Sequence, residues 1–146
     1  GGKMNIKMLN EPIELEYRGQ KFKFFKLPLA GVYKVINLVQ YMLSKTGINI
    51  VDAVSEKNVN ANTVPMDELF SEEIVDKTYE IVCFGTRMPR DIVENLPADV
   101  TLFCFNSILQ HCIDKDFFYQ KILEMGEAFR SLISEAMNQT ENQTQN

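Results

Sequence analysis

The C-terminal third of the chain places the strongest constraint on its fold, because apolar residues recur there at helical spacing over two successive segments. The first segment begins near Pro97, and the second follows Asp114, whose short acidic side chain is suited to capping a helix. Residues three and four positions apart share one helical face, so this pattern predicts two helices hinged at Asp114. The second helix has a continuous apolar stripe of Phe118, Ile122, Met125, Phe129, Leu132, Ile133 and Met137. The Asn-, Gln- and Thr-rich residues 138–146 predict a disordered tail.

The N-terminal part of the chain predicts a β-hairpin. Residues 12–17 and 21–25 alternate apolar and charged side chains around a turn at Arg18-Gly19. A two-residue turn there places Leu15 opposite Phe22, Ile13 opposite Phe24, Glu16 opposite Lys21 and Glu14 opposite Lys23. Because an isolated hairpin is only marginally stable, we expect the helix that follows it to cover its apolar face.

That helix is predicted after Pro28 and before Gly47, with an apolar stripe of Leu29, Val32, Tyr33, Ile36, Val39 and Leu43. Three further apolar residues, Val35, Leu38 and Met42, widen its surface beyond what one packing face requires. Two interpretations remain open for them: burial in the core of one subunit, or contact with a partner protein.

The middle of the chain gives weaker signals. Residues 48–56 are ambiguous between a strand and a helical turn, and residues 58–65 form an Asn-rich loop. A helix follows over residues 67–84, ended by Gly85, and then a short helix over residues 89–95. The sequence therefore predicts a mainly α fold, in which the hairpin packs on a bundle of about five helices. Residues 12–137 would form a single domain after a flexible N-terminus, residues 1–11, that starts with a cloning remnant.

Charge and hydropathy exclude several classes of function. The net charge is −5, and it is unevenly spread, with eight Lys/Arg and three acidic residues in positions 1–47 against seven and seventeen in the remainder. Nucleic-acid binding without sequence preference needs clustered cations, and two of the three lysines in residues 21–26, Lys21 and Lys23, face Glu16 and Glu14 across the hairpin. No apolar run reaches the length of a membrane span, and three cysteines without C-x-x-C spacing indicate a reducing compartment. We therefore expect a cytoplasmic protein that binds neither nucleic acid nor membrane.

The reactive residues do not form a recognisable catalytic or metal site. His111 and Cys112 are adjacent, but neighbouring helical residues diverge by about 100°. Cys104 and Cys112 are separated by about 12 Å along one helix, too far to share a disulfide or a zinc ion. The acidic pairs stand at predicted helix starts, where carboxylates cap free N–H groups. The sequence thus predicts no enzyme, no cofactor and no metal, with the cysteines acting as small buried apolar residues.

Three motifs, in this order, resemble those of the tail assembly chaperones of long-tailed bacteriophages. The first is a hairpin that runs into Leu27-Pro28-Leu29, the second is an acidic segment that ends in Leu96-Pro97-Ala98-Asp99, and the third is Asp116-Phe117-Phe118 before a last amphipathic helix. The resemblance covers roughly residues 12–135.

The resemblance implies that the protein coats the tape measure protein, a very long helical chain, and keeps it soluble in the host bacterial cytoplasm. Tail tube protein would displace it as the tube polymerises, and self-association is expected. The candidate contact residues are Val35, Leu38, Met42 and Phe117. Two other hypotheses remain: an adaptor or inhibitor that binds one specific host protein, and a thiol-dependent enzyme that uses Cys112.

Overall fold

The computed structural model describes residues 10–45 and 71–144, with side chains to residue 140. This part of the chain contains one hairpin and five helices: β1 (Ile13–Tyr17), β2 (Gln20–Phe24), α1 (Leu29–Ser44), α2 (Glu72–Thr86), α3 (Arg90–Glu94), α4 (Ala98–His111) and α5 (Lys115–Thr144). The predicted mainly α fold with an N-terminal hairpin is confirmed. The predictions for residues 1–9, 48–56, 58–65 and 67–70 lie outside the described residues.

The hairpin has the predicted register. Strands β1 and β2 pair antiparallel, with the four cross-strand partners derived from the sequence and with Tyr17 opposite Gln20. Arg18 and Gly19 both have positive φ, 51° and 76°, as a tight two-residue turn that matches the strand twist requires. One ion pair runs diagonally across the strands, from Lys21 Nζ to Glu14 Oε1 over 3.7 Å.

The expectation that the next helix covers the hairpin is wrong, because β2 packs mainly on α2 and α4. The Phe25 N–H donates to the Gly85 carbonyl oxygen of α2 over 2.7 Å. Phe24 is only 1% exposed, and its ring lies 6.0 Å from that of Phe103 on α4. Helix α1 follows the hairpin in sequence, but the apolar surface that seals Phe24 comes from helices much later in the chain.

A polar and aromatic contact fixes the tip of the hairpin to the first turn of α4. The Tyr17 ring stacks on Phe103 with 4.5 Å between centroids, and its hydroxyl donates to Asp99 Oδ2 over 3.0 Å. Arg18 forms an ion pair with the same carboxylate oxygen at 2.9 Å. The bond to Asp99 raises the pKa of Tyr17, since the neutral hydroxyl is the donor.

Helices α1 and α2 are antiparallel and pack closely. Gly31, near the start of α1, approaches Phe84 near the end of α2 so closely that a Cβ there would lie 3.3 Å from the Phe84 Cβ. One turn further, Lys34 Nζ pairs with Glu80 Oε2 at 3.0 Å. The face of α1 that α2 buries consists of Gly31, Val35 and Leu38.

The predicted apolar stripe of α1 is therefore wrong in its first half. Leu29 is 66% exposed and Tyr33 is 41% exposed. The second half of the predicted stripe, Ile36, Val39 and Leu43, contacts α5. Helix α1 is covered on two sides, as its wide apolar surface indicated, but both covers belong to its own chain.

Gly85 does not end α2. It is buried inside the helix, where an added Cβ would lie 2.3 Å from Ile108 Cδ1 of α4. The helix ends instead at Thr86, and Arg87 adopts the left-handed conformation with its N–H bonded to the Cys83 carbonyl oxygen. The glycine serves close helix packing, and it lies two residues before Arg87, the left-handed position that a capping glycine would occupy.

Helix α5 begins as predicted and ends later than predicted. The Phe117 N–H donates to Asp114 Oδ1 over 3.2 Å, which confirms the cap. We expected disorder from Asn138, whereas the structure continues the helix through Thr144. This extension is local in origin, since the side chains of residues 129–140 are all exposed. The Thr140 hydroxyl, for example, donates back to the Ala136 carbonyl oxygen over 2.9 Å.

Candidate protein-binding surface

The first turns of α5 dock on the end of α1. Ile122 is 5% exposed and Leu43 is 4% exposed, and the two form a small apolar cluster completed by Ile36, Val39 and Phe118. Helix α1 ends at Ser44, one residue after Leu43, whereas α5 continues for twenty-two residues after Ile122. At about 1.5 Å per residue, α5 is roughly 45 Å long against about 24 Å for α1. The second half of α5 thus extends beyond the helix on which the first half packs.

This second half carries an exposed apolar face, here called the distal stripe and defined as Phe129, Leu132, Ile133 and Met137. Each of these side chains is 60–61% exposed. Their spacing of three and four residues places them on one side of the helix, in line with the buried Ile122. A contiguous apolar surface of this kind is typical of a protein-interaction site.

The sequence identified every residue of the distal stripe as part of one apolar face, but it did not indicate which part of that face is buried. The pattern is unbroken from Phe118 to Met137, so hydrophobicity alone does not separate the docked part from the exposed part. The available signal is length: an apolar stripe of some twenty residues exceeds the sixteen-residue helix α1. A packing partner that ends early leaves the remainder of the stripe exposed.

The four predicted contact residues have different surroundings. Val35 is 5% exposed and Leu38 is 9% exposed, so the structure corrects their assignment: both pack into the core between α1 and α2 and have no free surface for a partner. Met42 is half-buried and packs against the same core. Phe117 is 58% exposed, with Lys121 Nζ 5.4 Å from its ring centroid, and it remains available for contact.

The adjacent residues His111 and Cys112 lie in different surroundings. His111 is exposed at the end of α4, whereas Cys112 is 5% exposed and packs in the core. Cys104 is fully buried, and burial raises the pKa of both Cys104 and Cys112 to about 11. Burial also raises the pKa of the half-buried Cys83. Because the thiolate is the reactive form, these thiols are poor nucleophiles near neutral pH.

A group of three charged side chains joins α2 to α3. Arg90 joins Asp76 of α2 to Glu94 of α3, and its hydrogen bond lowers the pKa of Asp76. Over residues 10–45 and 71–144, no group of three His, Cys, Asp or Glu residues could hold a metal ion. An open groove of about 340 Å³ near the start of α1 is lined in part by Lys26 and Arg87, and the Arg87 guanidinium lies 3.9 Å from the Phe25 ring centroid.

Comparison with protein-family models, with characterised proteins and with solved structures finds no match to this chain. Among the helices that the structure describes, none combines the length and the hydropathy that crossing a bilayer requires. The physical case for function therefore rests on the distal stripe, the largest run of exposed apolar side chains on any one described element.

Proposed function

We propose that this protein is a tail assembly chaperone of a long-tailed bacteriophage, which binds the helical tape measure protein in the bacterial cytoplasm. It keeps that client soluble until the tail tube polymerises. The observation that carries the proposal is the distal stripe of α5, because an exposed apolar helical face needs another apolar surface. A long amphipathic client helix offers such a surface repeatedly along its length.

The chemistry of the stripe suits a client with many similar binding segments. Phe129 supplies a large apolar contact area, and Met137 is unbranched and adapts to differently shaped surfaces. An amphipathic helix recognised through side chains at i, i+3, i+4 and i+7 pairs with such a face without a fixed sequence. Each contact is weak, and many copies on one long client give a stable coat.

The positions of the three family-like motifs also support the proposal. Leu27-Pro28-Leu29 stands at the junction of the hairpin and α1, Leu96-Pro97-Ala98-Asp99 at the start of α4, and Asp116-Phe117-Phe118 in the first turn of α5. Each motif thus marks the beginning of a helix. The third boundary sets where α5 starts and hence how far it extends beyond α1.

Co-expression with the longest coiled-coil protein of the same genome tests the proposal. We expect the client to be soluble only when this protein is present, and to co-purify with many copies bound per client. Leu132→Ser should abolish this effect, because it places a hydroxyl in the distal stripe. Leu102→Ser is the matched control: Leu102 is 55% exposed on α4, against 60% for Leu132, and lies outside the stripe.

Two results would contradict the proposal. One is a client that is equally soluble without this protein. The other is equal loss of activity in the two Leu→Ser variants, which would mean that the stripe has no special part. Binding to one host protein with fixed 1:1 stoichiometry, and none to the client, would favour the adaptor hypothesis instead.

A further inference from the structure

An open groove lies beside the start of α1, where α2 ends. Its volume is about 340 Å³, and Leu27, Pro28 and Phe84 supply apolar lining. Leu27 and Phe84 are half-buried, so each side chain contributes partly to the core and partly to the wall of the groove. The volume is near the lower limit for ligand-binding sites, and it suits a short stretch of extended peptide.

Two cations line the same groove without an acidic neighbour. Lys26 and Arg87 are both exposed, and the ion pairs found among the described residues include neither of them. The chain as a whole is acidic, with a net charge of −5. Because this local positive charge is not balanced by a carboxylate within ion-pair distance, it favours a negatively charged partner.

The side chain of Arg87 is already held in a form that can bind a carboxylate. Its guanidinium lies 3.9 Å from the Phe25 ring centroid, and the Phe25 N–H donates to the Gly85 carbonyl oxygen over 2.7 Å. The stack occupies one face of the guanidinium and leaves the in-plane N–H groups available for a bidentate bond. Since the ring restrains the side chain, less conformational entropy is lost on binding.

The backbone of Arg87 does not require an arginine. Its φ of 61° lies in the left-handed region, which glycine adopts at lower cost. The bond that caps α2 uses only the Arg87 N–H, which donates to the Cys83 carbonyl oxygen over 2.9 Å. A glycine would make the same bond, so the end of α2 does not explain the charged side chain at this position.

We propose that this groove binds an acidic segment of a partner protein. A Glu or Asp side chain of the segment reaches Lys26 and Arg87, and a neighbouring apolar side chain packs on Leu27 and Phe84. The two cations supply the charge complementarity that selects the segment. The apolar lining adds a contact that a small inorganic anion cannot make.

The groove and the distal stripe lie at opposite ends of α1. The groove includes Pro28, the residue before α1, whereas the distal stripe extends past Ser44, the last residue of α1. The length of α1, about 24 Å, separates the two surfaces. Binding in the groove therefore does not rest on the proposed function, and a partner held there leaves the distal stripe open.

An NMR titration of the whole protein, labelled with ¹⁵N, tests the proposal. The probe is a hexapeptide of alternating glutamate and leucine. We expect saturable shifts of the amide signals of Leu29, Ala30 and Arg87, with a dissociation constant of roughly 0.1–1 mM, and weaker binding as the salt concentration rises. Replacing glutamate by glutamine, or leucine by serine, should weaken binding about fivefold or more, because each peptide lacks one of the two contacts.

Substitutions in the groove test the two cations. Lys26→Ala and Arg87→Gly should each weaken binding about threefold to tenfold. Arg87→Gly should keep the midpoint of thermal unfolding within about 3 °C of the wild-type value, because glycine favours the backbone conformation there. Lys23→Ala is the matched control, since Lys23 is exposed but does not line the groove, and its affinity should be unchanged. Leu132→Ser should also leave binding unchanged.

Several results would overturn the proposal. These are the absence of saturable binding, equal binding of the glutamine–leucine peptide, and an equal loss of affinity in Lys23→Ala and Lys26→Ala. The same amide shifts with inorganic phosphate at equal concentration would show a site for small anions instead. The same shifts on raising the protein concentration without peptide would show that a second copy occupies the groove. The client proposal is unaffected by each of these results, because no client is present.

Discussion

Two isoleucines on the same face of α5 should respond very differently to the same substitution. Ile122 is 5% exposed and packs on Leu43, whereas Ile133 is 60% exposed. Ile→Ala at a buried site costs about 2–5 kcal/mol. Because the Ile122 cluster is small and lies at the edge of the core, we expect a loss of about 2–3 kcal/mol in the free energy of unfolding for Ile122→Ala.

Ile133→Ala should change the free energy of unfolding by less than about 0.5 kcal/mol. Most of the Ile133 side chain is already in water, so little burial is lost. The higher helix propensity of alanine, a few tenths of a kcal/mol, offsets the remainder. Urea unfolding followed by circular dichroism measures both variants. Equal destabilisation by the two substitutions would refute the conclusion that the distal stripe lies outside the folded core.

Three further predictions concern the core and the helix ends. Gly85→Ala should destabilise the protein by about 1–3 kcal/mol in thermal unfolding, because its Cβ meets Ile108; stabilisation, as helix propensity alone predicts, would contradict this packing. Cys104 and Cys112 should react slowly with a thiol reagent at pH 8 until the protein unfolds. Their pKa is raised to about 11 in the folded state. The free energy of unfolding should therefore fall as the pH rises from about 9 towards 11. Fast labelling at pH 8 would show that the thiols are accessible. Amide hydrogen exchange should be faster after Phe129 than before Ile122, and uniform protection along α5 would contradict the exposure of the distal stripe.

The elements that depend on local physics could be predicted from the sequence. The hairpin register follows from the alternation of apolar and charged residues and from the position of the two-residue turn, Arg18-Gly19. All the predicted cross-strand partners are confirmed. The start of α5 follows from Asp114, whose side chain caps the helix as expected. In both cases the deciding interactions lie within a few residues of each other.

The elements that depend on distant parts of the chain could not be predicted. Helix α1 carries apolar residues on more than one side, and hydrophobicity does not specify which side meets α2. The side of α1 that packs on α2 is the side with Gly31, which has no side chain and lets Phe84 approach closely. The ion pair from Lys34 to Glu80 joins the same two helices. For the same reason, the sequence left Val35 and Leu38 open between the core and a partner contact, and the structure buries both of them.

The candidate site was identified as a pattern, but its exposure could not be predicted. The stripe from Phe118 to Met137 is continuous in sequence, and only the end of α1 at Ser44 divides it into a buried and an exposed part. This boundary is set by how α1 and α5 pack against each other, although the two helices are seventy residues apart in the chain. Whether a residue of the stripe is buried therefore depends on whether α1 lies beside it, and not on the residue itself.

Fluorescence anisotropy with a labelled amphipathic helix from the coiled-coil client is the most direct test of the account, because it measures capture of a helix by the distal stripe. The account predicts saturable binding in the micromolar range, weakened about tenfold or more by Leu132→Ser and unchanged by Leu102→Ser. Absence of saturable binding, or equal affinity of the Leu132→Ser variant and the unaltered protein, would contradict it.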